Sequence, residues 1–220
     1  MPVKAFSVQF GKALREDLER RLADARWSDA VTGDWQYGTK KSFLKALVEY
    51  WQTIYNFDAA EQRMNVMPQF RTSIAGFGVH YVYLRGRGPR PKPLLLMNGW
   101  PSSFAEYRTL APMPADPAAF GGSADDAFDV VMPALPGFGF SDRPTGPHQV
   151  NAEDLFNILM TGHLGYSTYR LSSESPVLQG GDVESGCSVL SCLCRTDNQV
   201  LALEHQVCRV PKGRRGPDRL

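Results

Sequence analysis

The sequence predicts an α/β protein in which N-terminal helices and a β-hairpin are followed by a mostly parallel sheet. Three observations carry this. Apolar residues recur at helical spacing in two stretches, from Leu14 to Ala25 and from Phe43 to Tyr55. Two continuously apolar runs, PLLLM at 93–97 and FDVVMPA at 128–134, suit strands covered on both faces. Each run ends in a Gly and Pro loop, and helical patterns lie between and after them.

In chain order, Leu14, Leu18, Leu22 and Ala25 form a stripe among charged residues, which describes a helix lying on a surface. In KSFLKALVEYWQTIY, residues Phe43, Leu47, Trp51, Ile54 and Tyr55 make a second stripe, expected to pack in a core, with Ser42 as N-cap. FRTSIA and VHYVYL, separated by Gly76-Phe77-Gly78, read as an antiparallel hairpin, with His80 a packed or half-exposed strand residue. After PLLLM comes Asn98-Gly99-Trp100-Pro101, and after FDVVMPA comes Leu135-Pro136-Gly137-Phe138-Gly139-Phe140-Ser141-Asp142. Loops leaving the carboxyl ends of parallel strands are where chemistry collects in such sheets.

Composition bounds the function. With 24 Lys plus Arg against 23 Asp plus Glu, the net charge of +1 gives no pull toward nucleic acid or an anionic membrane. No stretch reaches the roughly 18 consecutive apolar residues of a membrane span, and the first residues lack the apolar core of an export signal, so a cytoplasmic protein is expected. Cys187, Cys192, Cys194 and Cys208 fall at the end of the chain without any CxxC pair. Free thiols are expected, and zinc held by these with His205 fits no common spacing. The second loop lacks the third glycine of a dinucleotide fingerprint.

Gln179-Gly180-Gly181-Asp182-Val183 follows the short apolar Val177-Leu178 and precedes SVLSCLC, a possible helix. This is the strand, sharp turn and helix of a nucleophile elbow, with Asp182 in the nucleophile's place. An Asp in an ordinary Gly-rich turn gives the same spacing.

Together these segments resemble the epoxide hydrolases of the α/β-hydrolase superfamily, in the branch of the microsomal and juvenile-hormone enzymes. The residues that carry the resemblance are ARWSD, GDWQYGT, LVEYWQTIYNF, Met67-Pro68-Gln69-Phe70, Asn98-Gly99-Trp100-Pro101-Ser102-Ser103-Phe104, PALPGFGFSDRP and Gln179-Gly180-Gly181-Asp182. The resemblance implies an epoxide hydrolase N-terminal region over 3–110, part of an α/β-hydrolase core over 111–205, and a basic tail over 206–220 that is expected to be disordered. It also implies the detoxifying hydrolysis of a small-molecule epoxide to a diol without cofactor or metal. Asp182 would be the nucleophile, and the backbone amides of Trp100 and Val183 would form the oxyanion hole.

The sequence is similar to roughly the first half of a family member. The family's late histidine, its acidic partner and the tyrosine-bearing cap have no counterpart after Asp182, so the chain is expected to be truncated and inactive alone, with self-association through an exposed sheet edge. A non-catalytic interaction protein is the other expectation. Asn98 stands at a family His, Ser102 at a family Gly, Val183 at a family Trp and Glu184 where the elbow demands a small residue, while Arg170 to Pro176 look inserted before the Val177-Leu178 strand.

Overall fold

A computed structural model describes residues 3–99, 102–147 and 149–173, and the backbone of 207–209. They form two compact units, one spanning Val8–Val66 and the other holding the remainder.

The first unit holds helices α1 (Lys12–Ala23), α2 (Lys41–Thr53) and α3 (Phe57–Asn65). The Asn56 carboxamide oxygen accepts the Ala59 amide at 2.9 Å and so caps α3. Asn65 fastens the end of α3 to Val8 through two backbone bonds of 2.8 and 2.9 Å, and Arg15 joins α1 to Asp58 and Glu61 of α3. Two expectations for α2 are corrected here. Lys40 rather than Ser42 occupies the N-cap, so Ser42 lies inside the first turn. The stripe expected in a core is instead open to solvent: Phe43 is 50% exposed, Leu47 45%, Trp51 40% and Ile54 69%. Helical spacing gathers apolar side chains on one side but does not supply the surface that covers them.

The second unit is built on a seven-stranded sheet of order β1-β2-β3-β5-β4-β6-β7. Its strands are β1 (Lys4–Phe6), β2 (Gln69–Ile74), β3 (Phe77–Leu84), β4 (Lys92–Met97), β5 (Phe128–Pro133), β6 (Thr168–Ser173) and β7 (Val207–Arg209). Only β5-β4 and β4-β6 pair in parallel, so the sheet is mixed rather than mostly parallel. The cause is the hairpin: β3 joins β5 in antiparallel register, which makes every pairing on that side antiparallel.

The hairpin turn is Ala75-Gly76, with Ile74 opposite Phe77, rather than the expected Gly76-Phe77-Gly78. Both turn residues have left-handed φ, 50° and 84°, the two-residue type I′ pattern that matches strand twist. Alanine in that region is strained by roughly 1 to 2 kcal/mol. Ala75→Asn is therefore expected to raise the thermal midpoint, with a gain of about 1 kcal/mol; an unchanged or lower midpoint would count against the strain.

One face of the sheet carries Ile74, Phe77, Val79, Tyr81, Leu95, Met97 and Val131, which pack with Leu155, Phe156, Leu159 and Met160 from α5 (Ala152–Ile158) and the wider turn of 159–163 that continues it. On the other face, Leu94, Leu96, Val130 and Met132 are buried, as are Phe104, Tyr107, Ala111 and Ala115 from the short helical turns between β4 and β5, which include α4 (Pro112–Ala115). The result is the expected layered α/β order of strand, helix, strand, helix. Among the described residues, no helix is long and apolar enough to cross a membrane.

β6 departs from expectation in its sequence. It takes Arg170 to Ser173 from the segment read as an insert, pairing Leu95 with Leu171 and Met97 with Ser173. Tyr169 is buried in the core and its hydroxyl donates to Asn157 Oδ1 at 3.2 Å, which holds this segment on α5. The expected Val177-Leu178 strand lies outside the described residues.

Candidate functional site

Three parallel strands end side by side at one edge of the sheet. β4 runs out at Met97, level with Ser173 of β6, and β5 ends beside them at Pro133. The two loops singled out from the sequence leave from this edge. Asp182, Trp100 and Val183 lie outside the described residues, as do Cys187, Cys192, Cys194 and His205. What the structure gives is the described part of the two loops and the strands they leave.

The first loop starts at buried Asn98, whose Nδ2 donates to the Gly99 carbonyl at 3.0 Å. The Ser102 amide donates back to that same carbonyl at 2.9 Å, bringing Ser102 against Gly99. Ser102 Oγ donates to Glu106, Ser103 caps the helical turn Phe104–Arg108, and Tyr107 donates to the Met97 carbonyl at 2.9 Å. The loop is thereby tied to its own strand and to the turn that follows it. Ser102 makes these bonds at the position where the family glycine was expected.

The second loop is held on β3. Gly137 and Gly139 take left-handed φ of 85° and 53°, which lets the chain double back so that the Gly137 amide donates to the Asp142 carbonyl at 2.8 Å. Ser141 Oγ donates to the Ala134 carbonyl at 2.9 Å and accepts the His80 amide at 3.0 Å. Asp142 closes the loop: its amide donates to the Gly78 carbonyl, its Oδ2 accepts the Gly78 amide at 2.6 Å, and its Oδ1 pairs with Arg71.

Gly78 makes room for this anchor. A Cβ there would stand 2.5 Å from the Arg71 guanidinium and 2.7 Å from the Asp142 carboxylate. The ion pair is about 40% exposed on both sides and is worth little alone. Gly78→Ala is nevertheless expected to cost about 1 to 2 kcal/mol, because it also pushes Asp142 off the Gly78 amide. Faster hydrogen exchange at the Asp142 amide would register the loss; unchanged exchange would contradict the anchor.

Sequence reading missed this cluster. Arg71 and Asp142 are 71 residues apart, and Gly78, which the structure places inside β3, reads from the sequence as part of the turn. His80 is as packed as expected, yet it is fully buried and pressed against aromatic rings from both loop regions: Phe104 at 5.2 Å and Phe140 at 5.2 Å. Burial, with the nearby Arg71 charge, lowers its pKa to about 4, so the ring is neutral near pH 7.

The amino end of the sheet carries a polar chain instead. Tyr83 and Tyr166 hydroxyls lie 2.7 Å apart, Tyr166 donates to Asp129 Oδ2 at 2.7 Å, and the Gly86 amide donates to Asp129 Oδ1 at 2.8 Å. Burial and these bonds push the Tyr166 phenol well above its ordinary range. This chain fastens loops at the end opposite the site.

Residues 3–107 match the profile of the family "Epoxide hydrolase N terminus". A Stigmatella aurantiaca protein named for the same family is 39% identical over 187 residues, covering 84% of this chain and 41% of its own length. Epoxide hydrolase 1 of Oryctolagus cuniculus is 30% identical over 186 residues, 82% of this chain and 39% of its own. The chain belongs to the epoxide hydrolase family.

Its place is in the microsomal and juvenile-hormone branch. The crystal structure of juvenile hormone epoxide hydrolase from the silkworm Bombyx mori matches with a TM-score of 0.66 and 25% identity, over 78% of this chain and 41% of that one. The chain spans about two fifths of the length of these relatives. The helices, hairpin and the strands bearing both loops are therefore the part of the family fold present in the described residues.

Proposed function

We propose that this chain supplies the nucleophile and the oxyanion loop of an epoxide-opening site. A carboxylate oxygen of Asp182 attacks an epoxide carbon, the carbon–oxygen bond of the ring breaks, and the alkoxide takes up a proton to leave a hydroxyalkyl ester. Water attack on the ester carbonyl then releases a diol and returns the carboxylate. The backbone amides of Trp100 and Val183 stabilise the negative oxygen of that second step, where losing one such donor costs about 3 kcal/mol. A serine in place of Asp182 would leave an ether, which has no carbonyl for water to attack.

The observation that carries this reading is the gathering of both family loops at the carboxyl edge of β5, β4 and β6, with residues 174–181 leading from the end of β6 to Asp182. The base that activates water in the family, its acidic partner and the cap tyrosines are assigned to the part of the family fold beyond the matched two fifths. The 220 residues are therefore expected to capture an epoxide without turning it over. Purified protein mixed with excess styrene oxide should consume about one equivalent per chain and stop. Sustained diol release would contradict the missing base, and no consumption at all would contradict the nucleophile.

A second reading, a non-catalytic interaction protein, is favoured by the exposed apolar side chains of α2 together with Trp35, which is 56% exposed. It predicts concentration-dependent self-association in light scattering, reduced by Leu47→Glu. A monomer at all concentrations would count against it.

A further inference from the structure

His80 is fully buried in β3, and its Nε2 lies 2.9 Å from Gln69 Oε1, so the ring nitrogen donates and the amide oxygen accepts. Nδ1 has no partner among the described residues. A buried acceptor without a partner carries an uncompensated desolvation cost, so packing alone would favour an apolar side chain at this position. The ring is caged by three aromatic neighbours: Phe6 at 4.9 Å, and Phe104 and Phe140 each at 5.2 Å. Phe104 opens the turn that follows the first loop, and Phe140 belongs to the second. The backbone of His80 reaches the second loop as well, donating to Ser141 Oγ and accepting from the Ala134 amide at 2.8 Å. The side chain of His80 therefore bears on both loop regions, and its backbone on the second.

We propose that His80 is a positioning residue whose neutral ring sets the spacing of the two loops, and that protonating it releases both together. The proposal rests on the reading that these loops flank the carboxylate of Asp182. A proton on Nδ1 would create a donor facing phenyl rings, with no acceptor bonded to it among the described residues. The charged groups on the elements packed around the ring are Lys4 of β1, Arg71 of β2, Asp142 of the second loop, and Glu106 and Arg108 of the 104–108 turn. Asp142 is already paired with Arg71, and among the described residues neither Asp142 nor Glu106 makes a hydrogen bond to the His80 ring. Arg71 stands directly across the β2–β3 pair and opposes that charge.

The test is a titration of the ¹⁵N-labelled full chain from pH 7 to pH 3 by NMR. The amides of Phe104 and of 138–142 should shift together, with the same midpoint as the His80 ring nitrogens, and should stay in place over that step in His80→Phe. Different midpoints for the two loops, or the same shifts in His80→Phe, would overturn the proposal. If His80→Phe fails to fold, the comparison with the ring nitrogens in the unmodified chain decides alone. Below the midpoint, epoxide capture by Asp182 should fall about tenfold per pH unit more steeply in the unmodified chain than in His80→Phe, following the loss of the neutral ring; equal slopes would overturn the proposal. Absence of capture at pH 7 in both proteins would refute the role of Asp182, and the loop titration would still decide that of His80.

Discussion

Asp182→Ala is expected to abolish covalent capture of an epoxide, lowering its rate at least about 10³-fold, while leaving the thermal unfolding transition in place. Capture requires a carboxylate that attacks carbon and remains attached as an ester, and alanine has no atom for that bond. The core described above is built from β2 to β6, α5 and the turns between β4 and β5, none of which includes position 182. An intact-mass assay after exposure to styrene oxide reads the first effect, and calorimetry reads the second. Equal capture by Asp182→Ala would assign the chemistry to another group. A collapse of the melting transition would make position 182 a structural residue.

The second large effect is on stability in acid. His80 has its pKa pushed down from 6.5 to about 4 by burial, with a smaller contribution from the Arg71 charge. Between those values the unfolded chain binds a proton that the folded chain refuses, so stability is fully present above pH 6.5 and falls as the pH drops toward 4. The whole step is worth about 3 kcal/mol. Burial lowers the pKa of His163 as well, and that ring, whose Nδ1 is 3.1 Å from Thr72 Oγ1, contributes in the same direction. Denaturant titrations at pH 7 and pH 4 should show the loss, and His80→Phe should lose about 3 kcal/mol less between them. An equal loss in both proteins would place the acid sensitivity elsewhere.

The strands were the most legible part of the sequence. PLLLM and FDVVMPA became β4 and β5, and their Gly and Pro loops lie at the carboxyl edge, because continuous apolar runs and turn residues are local signals. Strand direction is not local, and the mixed sheet follows from how the hairpin docks on β5. Phe77 sits between two glycines and reads as turn, yet it is buried in the core, and the left-handed pair Ala75-Gly76 makes the bend instead.

The stripe on α2 was legible as a face but not as an exposed one, since periodicity does not show what lies opposite. Arg170 to Ser173 read as part of an insert rather than as a strand. They belong to one because Tyr169 reaches the core while Leu171 pairs with Leu95. The anchoring of the second loop through Arg71, Gly78 and Asp142 depends on contacts between distant positions, which no window along the chain contains.

The most direct measurement of the central claim is peptide mapping by tandem mass spectrometry of the chain after exposure to styrene oxide. Modification of one side chain, on the peptide containing Gln179 to Glu184 and at Asp182 itself, is the predicted result. Modification confined to Cys187, Cys192, Cys194 or Cys208, or no modification at all, would contradict it.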